Sequence, residues 1–185
     1  MATSSLSILT PSLRIRHIRV EEAESMMELN AEPTTSLWLP SHVYADLDEA
    51  QSRMHYLVSC YASPGDPREG PYVLAVEHLA SRVLLGHVGF SPFDGDVEVS
   101  YAIAEHARER GYGSEALRYT CRWAAQTFNL PRILAITEAA NLPSRRTLIA
   151  AAFVHGEDTV MEFQGARQTV SRYVWRWSGE PVSEA

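Results

Sequence analysis

Residues 108–113 read Arg-Glu-Arg-Gly-Tyr-Gly, with a strand pattern before them and an amphipathic helix after. A glycine-bearing loop feeding a helix N-terminus leaves backbone N–H groups free. It also presents the positive end of the helix dipole, and the two together suit phosphate. The run is therefore read as a cradle for a phosphorylated cofactor. Two common alternatives fail on detail. A Walker loop requires Gly-x-x-x-x-Gly-Lys-Ser/Thr, and no lysine follows here. A dinucleotide fingerprint opens a parallel βαβ unit and has an acid about 20 residues on at a strand tip. Here the preceding strands read as a meander, and the nearest acid, Glu138, follows a helix and a strand by a longer interval.

The elements that position this loop are legible from periodicity. Leu13–Val20 partly alternates apolar and charged residues, as a half-buried strand does, and Glu21–Asn30 follows as a short helix. Residues 31–45 hold two prolines and Trp38 and read as a long loop. Asp46 and Glu49 have capping-box spacing at the start of a clearer helix, and Ser63–Pro71 is a surface loop. Tyr72–Leu79, Leu84–Ser91 and Val97–Ile103 are strands of an antiparallel meander, the last two joined through Asp94-Gly95. A helix over 114–128, a strand over 132–137 and a helix over 141–151 with Pro143 in its first turn follow. Strands over 160–164 and 169–176, around a turn at Gly165, complete the pattern. The order gives a mixed α/β domain of the α+β type, not a regular parallel array. It occupies residues 12–177, between a flexible N-terminus (1–11) and a flexible tail (178–185).

Several ordered motifs in this frame resemble the GCN5-related N-acetyltransferases. Arg108 to Gly113 matches their Gln/Arg-x-x-Gly-x-Gly/Ala acyl-CoA loop. The chain is most similar to the RimJ/RimL branch. Glu98-Val99-Ser100-Tyr101 matches its Glu-x-Gly-Tyr strand with Ser100 in place of Gly, and Asn141 to Ser144 matches its Asn-x-x-Ser helix start. The resemblance spans nearly the whole chain. It implies a mixed, mostly antiparallel central sheet with helices on both faces, and acetyl-CoA as co-substrate. Strands 97–103 and 132–137 would splay to admit the pantetheine arm, which pairs with backbone near Ile103. The N–H groups of Glu109, Arg110, Gly111, Tyr112, Gly113 and Ser114 would hold the pyrophosphate, with Arg108 shaping the loop and Asn141 reaching the cofactor arm.

Acetyl transfer to an amine needs a base, a donor for the carbonyl oxygen and protonation of the leaving thiolate. Glu98 is the candidate base, because strand alternation places it beside the small residues Ser100 and Ala102 on one sheet face. Ser144 is the candidate donor on the thiol side. Trp38, Tyr101 and His155 are the candidate acceptor contacts, with His42, Tyr44 and Glu162 nearby. The chain departs from the family pattern at Leu148, where many relatives place a tyrosine acid, and at Ala152, where they place glycine. These departures support a rival reading as a non-catalytic acyl-CoA-binding sensor or structural module.

Bulk properties narrow the partners. The chain has 185 residues, 45% of them hydrophobic, which fits one domain with a sizeable core. A net charge of −7 argues against nucleic acid. It suits cationic partners by steering, or serves solubility alone. Cys60 and Cys121 fall at core positions of helices without metal-ligand spacing, so no metal and no acetyl-cysteine are expected, and transfer is direct in a ternary complex. No signal or membrane-spanning pattern is present, and the expected location is cytoplasmic. The amine acceptor is either a protein N-terminus or a small molecule, and family habit suggests a homodimer.

Overall fold

The computed structural model describes residues 6–179. Eight strands form one sheet in the order β1-β2-β3-β4-β5-β6-β8-β7. They are β1 (Ser7–Leu9), β2 (Leu13–His17), β3 (Tyr72–His78), β4 (Leu84–Phe93), β5 (Asp96–Ile103), β6 (Arg132–Glu138), β7 (Val154–Phe163) and β8 (Ala166–Arg176). Every neighbouring pair is antiparallel except β5 and β6. The hairpin turns form where the sequence supplies residues that tolerate positive φ. Asp94 (φ 50°) and Gly95 (φ 80°) close β4–β5, and Gln164 (φ 53°) and Gly165 (φ 82°) close β7–β8.

Five α-helices cover the two faces: α1 (Ala23–Ala31), α2 (Pro33–Trp38), α3 (Leu47–Cys60), α4 (Tyr112–Phe128) and α5 (Leu142–Ala150). On one face α4 buries Leu117, Cys121 and Ala124 against Val97 and Val99 of β5 and Ile133 of β6. On the other, Met26 of α1 and Ala50, Met54 and Leu57 of α3 pack over Ala75 of β3. The i, i+4, i+7 spacing of the α3 residues is what gives that helix a single apolar stripe. Its N-cap is Asp46, whose carboxylate accepts the Glu49 N–H at 2.9 Å.

Four segments differ from expectation. The long loop over 31–45 contains α2 and a 3-10 turn at Pro40–His42, each opened by a proline whose missing N–H costs nothing at that position. Strand β1 lies within the N-terminal stretch expected to be flexible and pairs with β2. The first expected strand stops at His17, and a 3-10 turn at Val20–Glu22 leads into α1. Strand β7 begins at Val154 rather than 160 and bulges between His155 and Asp158. The expected flexibility of residues 1–5 and 180–185 lies outside the described residues. Among the described residues no helix is long and apolar enough to cross a membrane.

Candidate active site

The parallel pair β5–β6 is joined at one register point, Glu98 opposite Leu134. Beyond it the strands diverge. Residues 99–103 and 135–138 line a cleft of about 730 Å³ that runs from the 108–113 loop to Glu98. This is the splay that the family resemblance implies.

At the cleft's outer end, Gly111 caps α4 in the left-handed conformation (φ 81°), which only glycine adopts without strain. Glu109 also has positive φ (61°), so the loop turns twice within three residues and directs its amides toward the cleft end of α4. No side chain caps this helix. Its first-turn acid, Glu115, is engaged elsewhere, accepting from Thr10 Oγ1 at 2.5 Å and from the Ser12 N–H at 2.8 Å. The free N–H groups and the dipole therefore face the cleft with that carboxylate tied off. Gly113 packs close to α5, where an added Cβ would lie 3.2 Å from Thr147 Cγ2. Arg108 does not reach toward the cleft end of the loop. Its Nε donates to the Ile103 carbonyl at 2.8 Å, and Nη2 donates to Thr35 Oγ1 at 2.8 Å and to Glu32 at 3.2 Å.

At the inner end Glu98 is half-buried, and desolvation pushes its carboxyl up to about 7. The backbone N–H of Ile136, across the gap on β6, partly offsets this. Tyr101 projects from the opposite face of β5. Its hydroxyl lies 3.1 Å from Ser144 Oγ, and its ring edge lies against Gly113. Burial raises the Tyr101 hydroxyl above the ordinary phenol range. Asn141 caps α5, its side-chain oxygen accepting the Ser144 N–H at 3.1 Å, so the Asn-x-x-Ser spacing builds the helix start and aims Ser144 at Tyr101. Leu148 is buried in the core, as leucine must be where no polar partner exists.

The structure thus brings Glu98, Tyr101, Ile103, Asn141, Ser144 and the loop residues Arg108, Glu109, Gly111, Tyr112, Gly113 and Ser114 to one cleft. Trp38 and His42 also line it, and the Trp38 carbonyl accepts from Gln164 Nε2 at 2.8 Å. Arg110 and His155 do not line the cleft. His155 sits on the exposed part of β7, 2.9 Å from Asp158, with its ring edge on Tyr173. Cys60 and Cys121 are buried outside the cleft, and burial pushes the Cys121 thiol far up, away from thiolate chemistry. Sequence reading missed Thr35, Arg146 and the buried pair Asn30–His87. Asn30 and His87 are polar residues on a helix and a strand that the fold buries, while Thr35 falls in the stretch read as a loop and Arg146 on an exposed part of α5, so neither carried a signal in the sequence.

The cleft suits an extended acyl-CoA: a pyrophosphate site at a helix N-terminus, and facing strand edges for an amide-bearing arm. The comparisons agree. Residues 12–154 match the model of the Acetyltransferase (GNAT) domain. An uncharacterised N-acetyltransferase of Bacillus subtilis, YnaD, is 24% identical over 146 residues, covering 77% of this chain and 79% of that protein. RimL, the ribosomal L7/L12 α-N-protein acetyltransferase solved with coenzyme A, shares the fold with a TM-score of 0.79 at 14% identity, over 95% of this chain and 100% of that one. The ribosomal-protein-S5-alanine acetyltransferase of Vibrio fischeri does so with a TM-score of 0.77 at 19% identity, over the same shares. With the domain match covering most of its length, the chain belongs to the GNAT family of N-acetyltransferases.

Proposed function

We propose that the chain moves an acetyl group from acetyl-CoA directly to a primary amine within a ternary complex. The observation that carries this is the position of Glu98, at the point where β5 and β6 part and at the inner end of the cleft that starts at the α4 N-terminus. Acetyl-CoA supplies the activated thioester. The amides of residues 109–114 hold its pyrophosphate, and the unpaired inner edges of β5 and β6 bind the arm between them. Asn141 keeps its side-chain nitrogen free for that arm while its oxygen caps α5.

Glu98 accepts the proton that the attacking ammonium or amine must lose. A carboxyl near 7 is well matched to this, being a stronger base than an ordinary glutamate yet largely ionised slightly above neutrality. Ser144 and Tyr101, hydrogen-bonded to each other, stand on the other face of β5. They supply the donor for the departing thiolate, Tyr101 in place of the tyrosine that Leu148 replaces. The absence of cysteine from the cleft lining favours direct attack over an acetyl-enzyme.

The acceptor is a protein N-terminal amine or a small-molecule amine. Coenzyme A release from acetyl-CoA across a panel of both, with the mass of each acetylated product, tests the reading. Turnover on at least one amine is expected. Tight acetyl-CoA binding without turnover on any amine overturns it in favour of an acyl-CoA sensor.

A further inference from the structure

Beside Glu98 the cleft opens into a second chamber of about 130 Å³. The two share Ser41, His42, Ser91 and Ser100 as lining, so they adjoin across these residues. Strand register fixes where the chamber starts. Ser91 lies opposite Glu98, and Gly89 lies opposite Ser100, one step of two residues further along. That step is about 7 Å. Gly89 is what leaves the passage open, since a Cβ there would lie 3.3 Å from Ser100 Oγ and 3.2 Å from Val73.

The chamber is lined by side chains from α1, the 3-10 turn at Pro40–His42, α3 and β4. His87 Nε2 of β4 donates to Asn30 Oδ1 of α1 at 3.1 Å, and both residues are almost fully buried. His42 lies over His87 with ring centroids 5.6 Å apart. Tyr44 and Arg53 complete the wall. Burial holds His87 neutral, pushed down to about 3, and lowers His42 as well. Arg53 lines this space from the exposed side of α3, where its guanidinium carbon also lies 5.1 Å from the Tyr56 ring centroid, and its positive charge acts on both His42 and Tyr44.

The charge balance is unusual for this chain. A protein of net charge −7 lines this chamber with one arginine and no acidic residue. Among the described residues, no carboxylate pairs with Arg53. Two neutral imidazoles add no competing charge, while Tyr44, His42 and Arg53 all offer donors. A cation here would meet Arg53 without a counter-charge, whereas an anion would find a charge-assisted donor and hydroxyl and imidazole partners.

We propose that this chamber is the second half of the acceptor site and takes a carboxylate, held by Arg53 with Tyr44 and His42, in the space that begins one two-residue strand step from the register point of Glu98. The acceptor class is then an amine that carries its own carboxylate about two residue lengths away. A free dipeptide-sized amino acid derivative and a protein N-terminus with an early acidic residue both have this chemistry. The assignment rests on the transferase reading for the place of the amine, but the anion site itself does not.

Calorimetric titration in saturating coenzyme A tests it without turnover. One arm compares alanyl-alanine with its C-terminal amide. The other compares a C-terminally amidated pentapeptide beginning Ala-Asp with its Ala-Asn counterpart. The carboxylate member of at least one pair is expected to bind about tenfold tighter. A preference confined to the first pair points to a small acceptor, and one confined to the second to a protein N-terminus. Arg53→Met, at an exposed helix position, should erase the preference, and Arg53→Glu should reverse it. Equal binding within both pairs, or a preference that survives Arg53→Met, overturns the proposal. A preference that holds while no amine is ever acetylated leaves the subsite standing and overturns the transferase reading instead.

Discussion

Arg108 donates to Thr35 Oγ1 at 2.8 Å, joining the cofactor loop to the helix that walls the acceptor side. The same guanidinium donates to the Ile103 carbonyl, and Glu32 accepts both from Arg108 and from the Glu105 N–H. Thr34 adds a fourth strand to this net by donating to Glu105. Arg108, the first position of the loop motif, therefore ties the loop to α2. Removing it in Arg108→Met should free α2 as well as the loop. With three charge-assisted bonds lost, acceptor kcat/KM should fall roughly 10- to 100-fold. Amide exchange over residues 33–39 should quicken in the same variant. An effect on coenzyme A affinity alone, with exchange of α2 unchanged, would contradict the tie.

The Glu98 carboxyl dictates a pH profile. Its folded-state value of about 7 lies above the ordinary 4.5, so activity that needs the carboxylate should rise through pH 7. The acceptor's own amine adds a second limb at higher pH, near 7.7–8.0 for an α-amine. Glu98→Gln should lose the limb near 7, keep the amine limb and lower kcat by about 10²–10⁴-fold. Stability moves the other way. Between about 4.5 and 7 the folded chain holds a proton here that the unfolded chain has released, so this group's contribution declines as pH rises through that window. Urea titrations of wild type and Glu98→Gln across it should show a smaller decline in the variant.

Gly111 has open space around its missing Cβ, so the cost of a side chain there is conformational and not steric. Gly111→Ala should destabilise the fold by about 1–2 kcal/mol, or force the loop out of its turn. In the second case the amides of the α4 N-terminus lose their aim. Equilibrium unfolding and coenzyme A titration read the two outcomes separately, and wild-type values in both would remove the loop from the phosphate site.

Ala152 holds φ at 67°, immediately after α5 and before the buried Phe153. The backbone thus takes a left-handed turn here with a residue whose Cβ strains it. Ala152→Gly should stabilise the chain by about 1 kcal/mol, since relief of the left-handed penalty outweighs glycine's larger unfolded-state entropy. Thermal or chemical melts check the sign, which few surface substitutions share.

Much of this was legible from residue order because the signals were local. Asp94-Gly95 and Gly165 mark turns through their own φ preferences, and the α4 stripe of Leu117, Cys121 and Ala124 is a spacing rule. What was not legible depends on tertiary contact. Helix α2 is six residues of Pro-Thr-Thr-Ser-Leu-Trp, too short and too poor in helix formers to appear by propensity, and it is held by Arg108 and Gln164 from distant segments. The first half of β7, with Gly156, Glu157 and Asp158, lacks strand composition and exists because β8 offers it an edge. That Glu98 and the 108–113 loop share one cleft was legible through motif spacing. The Asn30, His42, Arg53 and His87 chamber was not, because its members lie on four elements and share no period.

The single rung between Glu98 and Leu134 has a further consequence. Along the remaining length of β5 and β6, two inner strand edges face each other without a ladder, inside an otherwise continuous eight-stranded sheet. Edges of this kind ordinarily invite another strand. Here an amide-bearing ligand arm can act as the missing rung. The cofactor is then a structural member of the sheet as well as a reagent, and each turnover that releases it reopens a seam through the middle of the protein.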